Sequence, residues 1–136
     1  MRFDIFLTFN GDCRKALDFY TDVFNLNAPE HIMVYGQAPN FTGGEHEKNL
    51  ILYAQLPIYG LNVMFSDTNK PTSYLKGNNI MLTLGVDCED ELNNLFAKLS
   101  TGGNILMPLG KTFFAKKFAM VMDKFGIIWQ LSFVVF

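Results

Sequence analysis

The sequence predicts an α+β fold of two βαβββ modules. Three observations predict it. The chain repeats once at an offset of 75 residues: Leu7-Thr8, Asp12-Cys13 and Leu17 recur as Leu82-Thr83, Asp87-Cys88 and Leu92, five identities in twelve positions. In both copies the hydrophobic period changes at the same place, from alternation to helical spacing. Three short strand-like runs follow each helical stretch.

The elements follow in chain order. Ile5, Leu7 and Phe9 alternate with Phe6, Thr8 and Asn10, as in a half-buried strand. Asp12 is a good N-cap for a helix with apolar positions Ala16, Leu17, Phe19, Tyr20 and Phe24. That helix fades at Asn25-Leu26-Asn27, ahead of Pro29. Strands are expected at roughly residues 32–36, 50–56 and 61–65, the last two joined by a turn at Tyr59-Gly60. Residues 39–49, with Gly43-Gly44 and Glu45-His46-Glu47-Lys48, read as a mobile loop. Residues 69–75 are polar and hold Pro71, and read as a linker between module 1–68 and module 76–136 of a single domain spanning 1–136.

The second module repeats the plan. A strand over 81–86 leads to Asp87 as N-cap, and Leu92, Leu95, Phe96 and Leu99 mark a helix. Thr101-Gly102-Gly103 is its stop signal. Strands are expected at roughly 104–107, 113–122 and 127–135, with a turn over 123–126.

Composition narrows the function. Hydrophobic residues make up 49% and charged residues 18%, and Phe alone occurs 14 times, so a large apolar interior or pocket is expected. Lys+Arg 11 against Asp+Glu 13 gives a net charge of −2, with no basic stripe, which argues against nucleic acid as a partner. No apolar run has the ~18 residues of a membrane span, so no membrane role is expected. Asp4 interrupts the apolar stretch that a signal peptide would need, and Cys13 and Cys88 are too few for a disulfide scaffold. A cytoplasmic location is the expectation.

Strand parity points to a binding surface. Four strands each present one apolar set, suited to lie under the helices, and one mixed set. The mixed sets hold Phe6, Thr8, Met64, Ser66, Met81, Thr83, Gln130 and Ser132. Apolar groups with a few convergent polar ones are the wall of a small-molecule cavity. The other reading is a sheet face turned to solvent or to a second subunit. Phe113 and Phe114 follow a loop, and one of the pair is a candidate for the cavity rim. Trp129 shares parity with the helix side and reads as core.

Several segments carry a family resemblance: Phe6-Leu7-Thr8-Phe9-Asn10-Gly11-Asp12-Cys13, Ala16-Leu17-Asp18-Phe19-Tyr20, Tyr35-Gly36-Gln37-Ala38-Pro39 and Met64-Phe65-Ser66-Asp67. The most specific are Thr112-Phe113-Phe114 and Met122-Asp123-Lys124-Phe125-Gly126-Ile127-Ile128-Trp129, at matching spacing. With them the chain resembles the vicinal oxygen chelate superfamily (glyoxalase I, extradiol dioxygenases, bleomycin-resistance proteins), and within it the PhnB-like branch. The resemblance implies two βαβββ modules forming a cupped mixed sheet with helices on the outer face (the glyoxalase/bleomycin resistance fold), and a homodimer.

It also implies a divalent metal held by His, Gln or Glu from the first and last strands of each module. Those positions fall at Ile5 or Phe6, at or beside Met64, at Met81 and at Gln130. Gln130 alone can coordinate a hard cation, so the expectation is no metal and no cofactor.

The remaining chemistry-bearing residues read as ordinary. His31 and His46 are the only histidines; His46 sits in a charged cluster and His31 at a strand entry, both solvated. Cys13 lies beside Arg14 and Lys15 near a helix start, which can lower a thiol pKa, but a half-buried structural role is the default. The functional expectation is a small-molecule binding protein of the glyoxalase/bleomycin-resistance type, whose apolar cup lacks the usual metal ligands. Its ligand-binding residues would be Phe6, Thr8, Met64, Ser66, Met81, Thr83, Phe113, Gln130 and Ser132, and its ligand an unidentified small molecule. The alternative is an enzyme (lyase, isomerase or transferase-like) acting on a small organic substrate, with no catalytic residue assigned.

Overall fold

The structure, a computed structural model, describes residues 1–134. Chain contacts divide it into two units, Met1–Tyr74 and Leu75–Phe136. The first holds β1 (Ile5–Phe9), α1 (Cys13–Val23), β2 (Ile32–Val34), α2 (Glu45–Lys48), β3 (Ile51–Ile58) and β4 (Leu61–Asp67). The second holds β5 (Leu82–Val86), α3 (Glu89–Ser100), β6 (Asn104–Gly110), β7 (Lys117–Met122) and β8 (Ile128–Phe133). Each unit has one four-stranded mixed sheet, in the orders β1-β4-β3-β2 and β5-β8-β7-β6. In both, the first strand runs parallel to the last, and the two closing hairpins are antiparallel.

Each helix packs its apolar stripe on one face of its own sheet. In the first unit Ala16, Leu17 and Tyr20 are buried with Phe9, Leu56, Val63 and Phe65. Phe9 stacks on Phe65 with ring centroids 6.0 Å apart, and Tyr20 meets the same ring at 5.9 Å. In the second unit Leu92, Leu95 and Leu99 are buried with Ala119, Val121, Trp129 and Leu131. The period-2 reading thus identified the helix side of each sheet. Tyr59 (φ 48°) and Gly60 (φ 80°) form the two-residue β3–β4 turn, where both positions need the left-handed region.

Boundaries differ from expectation where side chains intervene. Val34 N–H donates to Gln37 Oε1 at 2.9 Å, which pulls residues 35–37 into a 3₁₀ turn and ends β2 at Val34. Thr112 Oγ1 accepts the N–H groups of Phe114 and Ala115, so residues 112–115 coil and β7 begins at Lys117 rather than near 113. The strand before it extends further than expected, to Gly110, with two register irregularities. Residues 39–49 contain α2, where Glu47 and Lys48 N–H donate to the Gly44 carbonyl. The stretch read as linker contains a 3₁₀ turn over Pro71–Ser73. β8 ends at Phe133, and residue 135 of the strand expected there lies outside the described residues.

One N-cap is corrected and the other gains an unexpected acceptor. α3 starts at Glu89 with Cys88, not Asp87, at the cap position. Asp12 occupies the α1 cap position, but its side chain makes no capping hydrogen bond. Asp67, from the far end of β4, takes over: its Oδ1 accepts from Gly11 and Cys13 N–H at 2.9 and 3.0 Å, and its Oδ2 from Ile51 N–H at 3.0 Å. One carboxylate thereby ties β1, α1, β3 and β4 together. Asp67 is 2% exposed, and three donors offset the cost of burying its charge.

Candidate functional site

The sheet face away from each helix carries the mixed side chains, and register arranges them in rows. On the first sheet Phe6 lies beside Met64, and Met64 beside Gln55; Thr8 lies beside Ser66, and Met33 beside Tyr53. On the second sheet a row runs from Thr83 through Gln130 and Met120 to Met107. Flanking rows pair Gly85 with Ser132 and Phe118, and Ile128 with Met122 and Asn104. Two features stand out. The strand positions of these faces hold no Asp, Glu, Lys, Arg or His. All six methionines after Met1 stand on them or, for Met81, directly before β5 at the same parity.

Each expected site residue can now be placed within its own unit. Phe6 and Thr8 on β1 are exposed, and Met64 and Ser66 on β4 are half-buried, all on the mixed face. Thr83 is exposed and Gln130 and Ser132 half-buried on the mixed face of the second sheet. Met81 is 43% exposed. Phe113 stands apart: it lies fully exposed in the β6–β7 connection, edge-on to Phe114 at 5.1 Å. Phe114 in turn lies edge-on to Phe118 at 5.1 Å, and Phe118 is buried, as is Ile128 on the same face.

The implied metal can be tested against these side chains. Thr8 and Thr83 occupy equivalent places in the repeat, and their neighbours are Ser66 and Gln130. Gln130 therefore corresponds to Ser66, and Met64 to Ile128, so Met64 and Gln130 are not equivalent positions. The equivalent set nearest to a ligand set is Thr8, Ser66, Thr83 and Gln130: three hydroxyls and an amide. The Gln130 amide is already engaged, accepting from Thr83 Oγ1 at 2.9 Å and donating to Met81 Sδ at 3.4 Å. No group of three His, Cys, Asp or Glu side chains that could hold a metal occurs among the described residues. These residues do not fit a hard divalent cation.

A cavity of about 560 Å³ lies within the first unit, a volume in the usual range for small-molecule sites. One wall is the α1–β2 connection, residues 25–31; the other is Tyr53, Gln55, Leu56 and Pro57 of β3 with Asn62 of β4. Gln55 Oε1 accepts from Tyr53 OH at 2.8 Å and from Asn62 Nδ2 at 3.0 Å, which fixes the three polar groups relative to one another. His31, read from sequence as merely solvated, is exposed and lines this cavity. The sequence did hold a signal for its floor: Tyr53 and Gln55 alternate with buried Ala54 and Leu56.

Buried polar groups elsewhere are structural. Burial, and then the charge of Asp67, push the Cys13 thiol far above its ordinary value of 9.0, so Cys13 is inert rather than activated. Burial likewise raises Tyr35 and Tyr74, whose hydroxyls donate to the Asp67 and Thr8 carbonyls at 2.7 and 3.1 Å. Asp123 accepts from Phe125 and Ile127 N–H and from Trp129 Nε1, closing the β7–β8 turn and orienting the buried indole.

Comparison with known proteins follows from this geometry. A family model described as 3-demethylubiquinone-9 3-methyltransferase matches residues 1–132. Protein PA1353 from Pseudomonas aeruginosa has a similar structure, with 30% identity, 98% of each chain covered and a TM-score of 0.87. So has a protein from Bacillus cereus described as a putative 3-demethylubiquinone-9 3-methyltransferase, PhnB protein, with 28% identity, 98% of this chain and 100% of that one covered, and a TM-score of 0.83. FosX of Listeria monocytogenes, a fosfomycin resistance protein, shares the fold at 12% identity, over 99% of this chain and 93% of that one, with a TM-score of 0.67.

Proposed function

From the premise that the chain belongs to the 3-demethylubiquinone-9 3-methyltransferase family, a PhnB-like member of the vicinal oxygen chelate superfamily with its α+β fold, we propose that it binds a small, largely apolar organic molecule without a hard metal. One observation carries the reading. The mixed faces combine all six internal methionines, or their parity in the case of Met81, with hydroxyls and amides and no ionisable strand side chain. Thioethers adapt to varied apolar shapes, and the hydroxyls and amides orient a ligand. A protein of this kind sequesters its ligand in the cytoplasm, as a homodimer. The enzymatic alternative finds less support, because these strand positions offer no carboxylate, imidazole or amine for proton transfer.

The test is titration with N-phenyl-1-naphthylamine, an uncharged dye, beside native mass spectrometry of gently purified protein. Saturable fluorescence enhancement is expected, weakened in Met64→Lys and Met120→Lys. Native spectra should show a dimer with an organic adduct. Enhancement untouched by both substitutions would overturn the reading.

A further inference from the structure

The cavity in the first unit has a charge character that the rest of the mixed face lacks. Its titratable lining residues include Glu30 and His31, and neither lysine nor arginine. Asn62 and Tyr53 also line it, their donors turned to Gln55. Gln55 Oε1 is saturated by its two donors, so the free functionality of that amide is Nε2, available to an acceptor elsewhere on the same molecule. An anion entering this groove would lose water and meet a carboxylate, with no lysine or arginine to offset it. A protonated amine would meet a carboxylate, with an aromatic residue, Tyr53, in the same lining. We propose that this cavity is a binding site for a small organic monocation, an ammonium or amidinium group on an apolar body.

The proposal rests on the reading that this face binds small molecules, and it narrows that reading to one pole of the face. The apolar body would lie toward Pro57 and Leu56, and the charged end toward Glu30. On this proposal phosphonates and carboxylates are disfavoured in this groove.

A matched set of probes tests it: benzylamine, benzyl alcohol and benzoate share a ring and differ in charge. Each is titrated into ¹⁵N-labelled full-length protein at pH 8, and amide shifts are followed. Benzylamine should shift Gln55 and Asn62 side-chain amides and the backbone of residues 25–31. It should bind more tightly than benzyl alcohol, and benzoate should leave these signals unmoved. Glu30→Gln, at an exposed position that the fold does not depend on, should weaken benzylamine by roughly threefold and leave benzyl alcohol unchanged, the size expected of a solvent-exposed charge pair. If benzyl alcohol binds as well as benzylamine, or Glu30→Gln changes neither, the monocation assignment is wrong while the small-molecule reading stands. Binding of benzoate to the same signals overturns the assignment outright. Silence from all three, together with no response to the uncharged dye, removes both.

Discussion

Asp67→Asn is the substitution whose cost follows most directly from the geometry. The carboxylate accepts three backbone N–H bonds, two on Oδ1 and one on Oδ2. An amide keeps one acceptor oxygen and turns the other into a donor. In its better orientation it keeps Gly11 and Cys13, loses Ile51 and points an N–H at an N–H. A hydrogen bond to a charged group contributes about 1.5–3 kcal/mol, and the two survivors weaken when the charge goes, so Asp67→Asn should cost about 3 kcal/mol. Asp67→Ala, which strands all three donors, should cost about 4 kcal/mol or more. Urea unfolding followed by far-ultraviolet circular dichroism measures both, with Asp12→Ala as the control. Asp12 makes no capping bond, so its replacement should cost no more than about 0.5 kcal/mol. If Asp12→Ala proves as costly as Asp67→Asn, the assignment of the α1 cap to the β4 carboxylate is refuted.

Other outcomes follow from neighbouring features. At Gly103 an added Cβ would overlap the Met122 carbonyl oxygen, so Gly103→Ala should destabilise by about 2–3 kcal/mol in the same assay. The Cys13 pKa is raised on folding, so its stabilisation is complete below pH 9.0 and declines as pH rises from there; stability should fall by about 1.4 kcal/mol per pH unit above 9, and Cys13→Ala should flatten that slope. Purified protein should carry no stoichiometric nickel, zinc, manganese or iron by inductively coupled plasma mass spectrometry; one equivalent of any of them would contradict the donor-set argument. Asp123→Ala removes the acceptor of the Trp129 indole N–H and should both change the emission of the single tryptophan and lower stability by about 2 kcal/mol.

What could be read from the sequence was whatever repeats locally. The change of period after Asp12 and Asp87 located α1 and α3, and alternation along β1, β4, β5 and β8 separated Phe65 and Leu131 from Met64 and Gln130. Alternation gives the face of a strand but not its register. The equivalence of Gln130 with Ser66, rather than with Met64, appears only once Thr83 is paired with it. Asp12 stands at the α1 cap position as expected, but the acceptor that serves the helix start was not legible, because it lies 54 residues away in sequence, at the end of another strand. α2 spans four residues, too few for a helical period to register. The cavity escaped notice because one wall is an irregular connection, residues 25–31, which carries no periodic signal at all.

The placement of sulfur has a consequence for oxidative damage. None of the six internal methionines is among the buried residues packed beneath the helices. Conversion of a thioether to its sulfoxide introduces a polar, chiral group. Peroxide would therefore rewrite the proposed recognition surface of both sheets while sparing the interiors that keep them folded. Loss of ligand and loss of structure would become separate events.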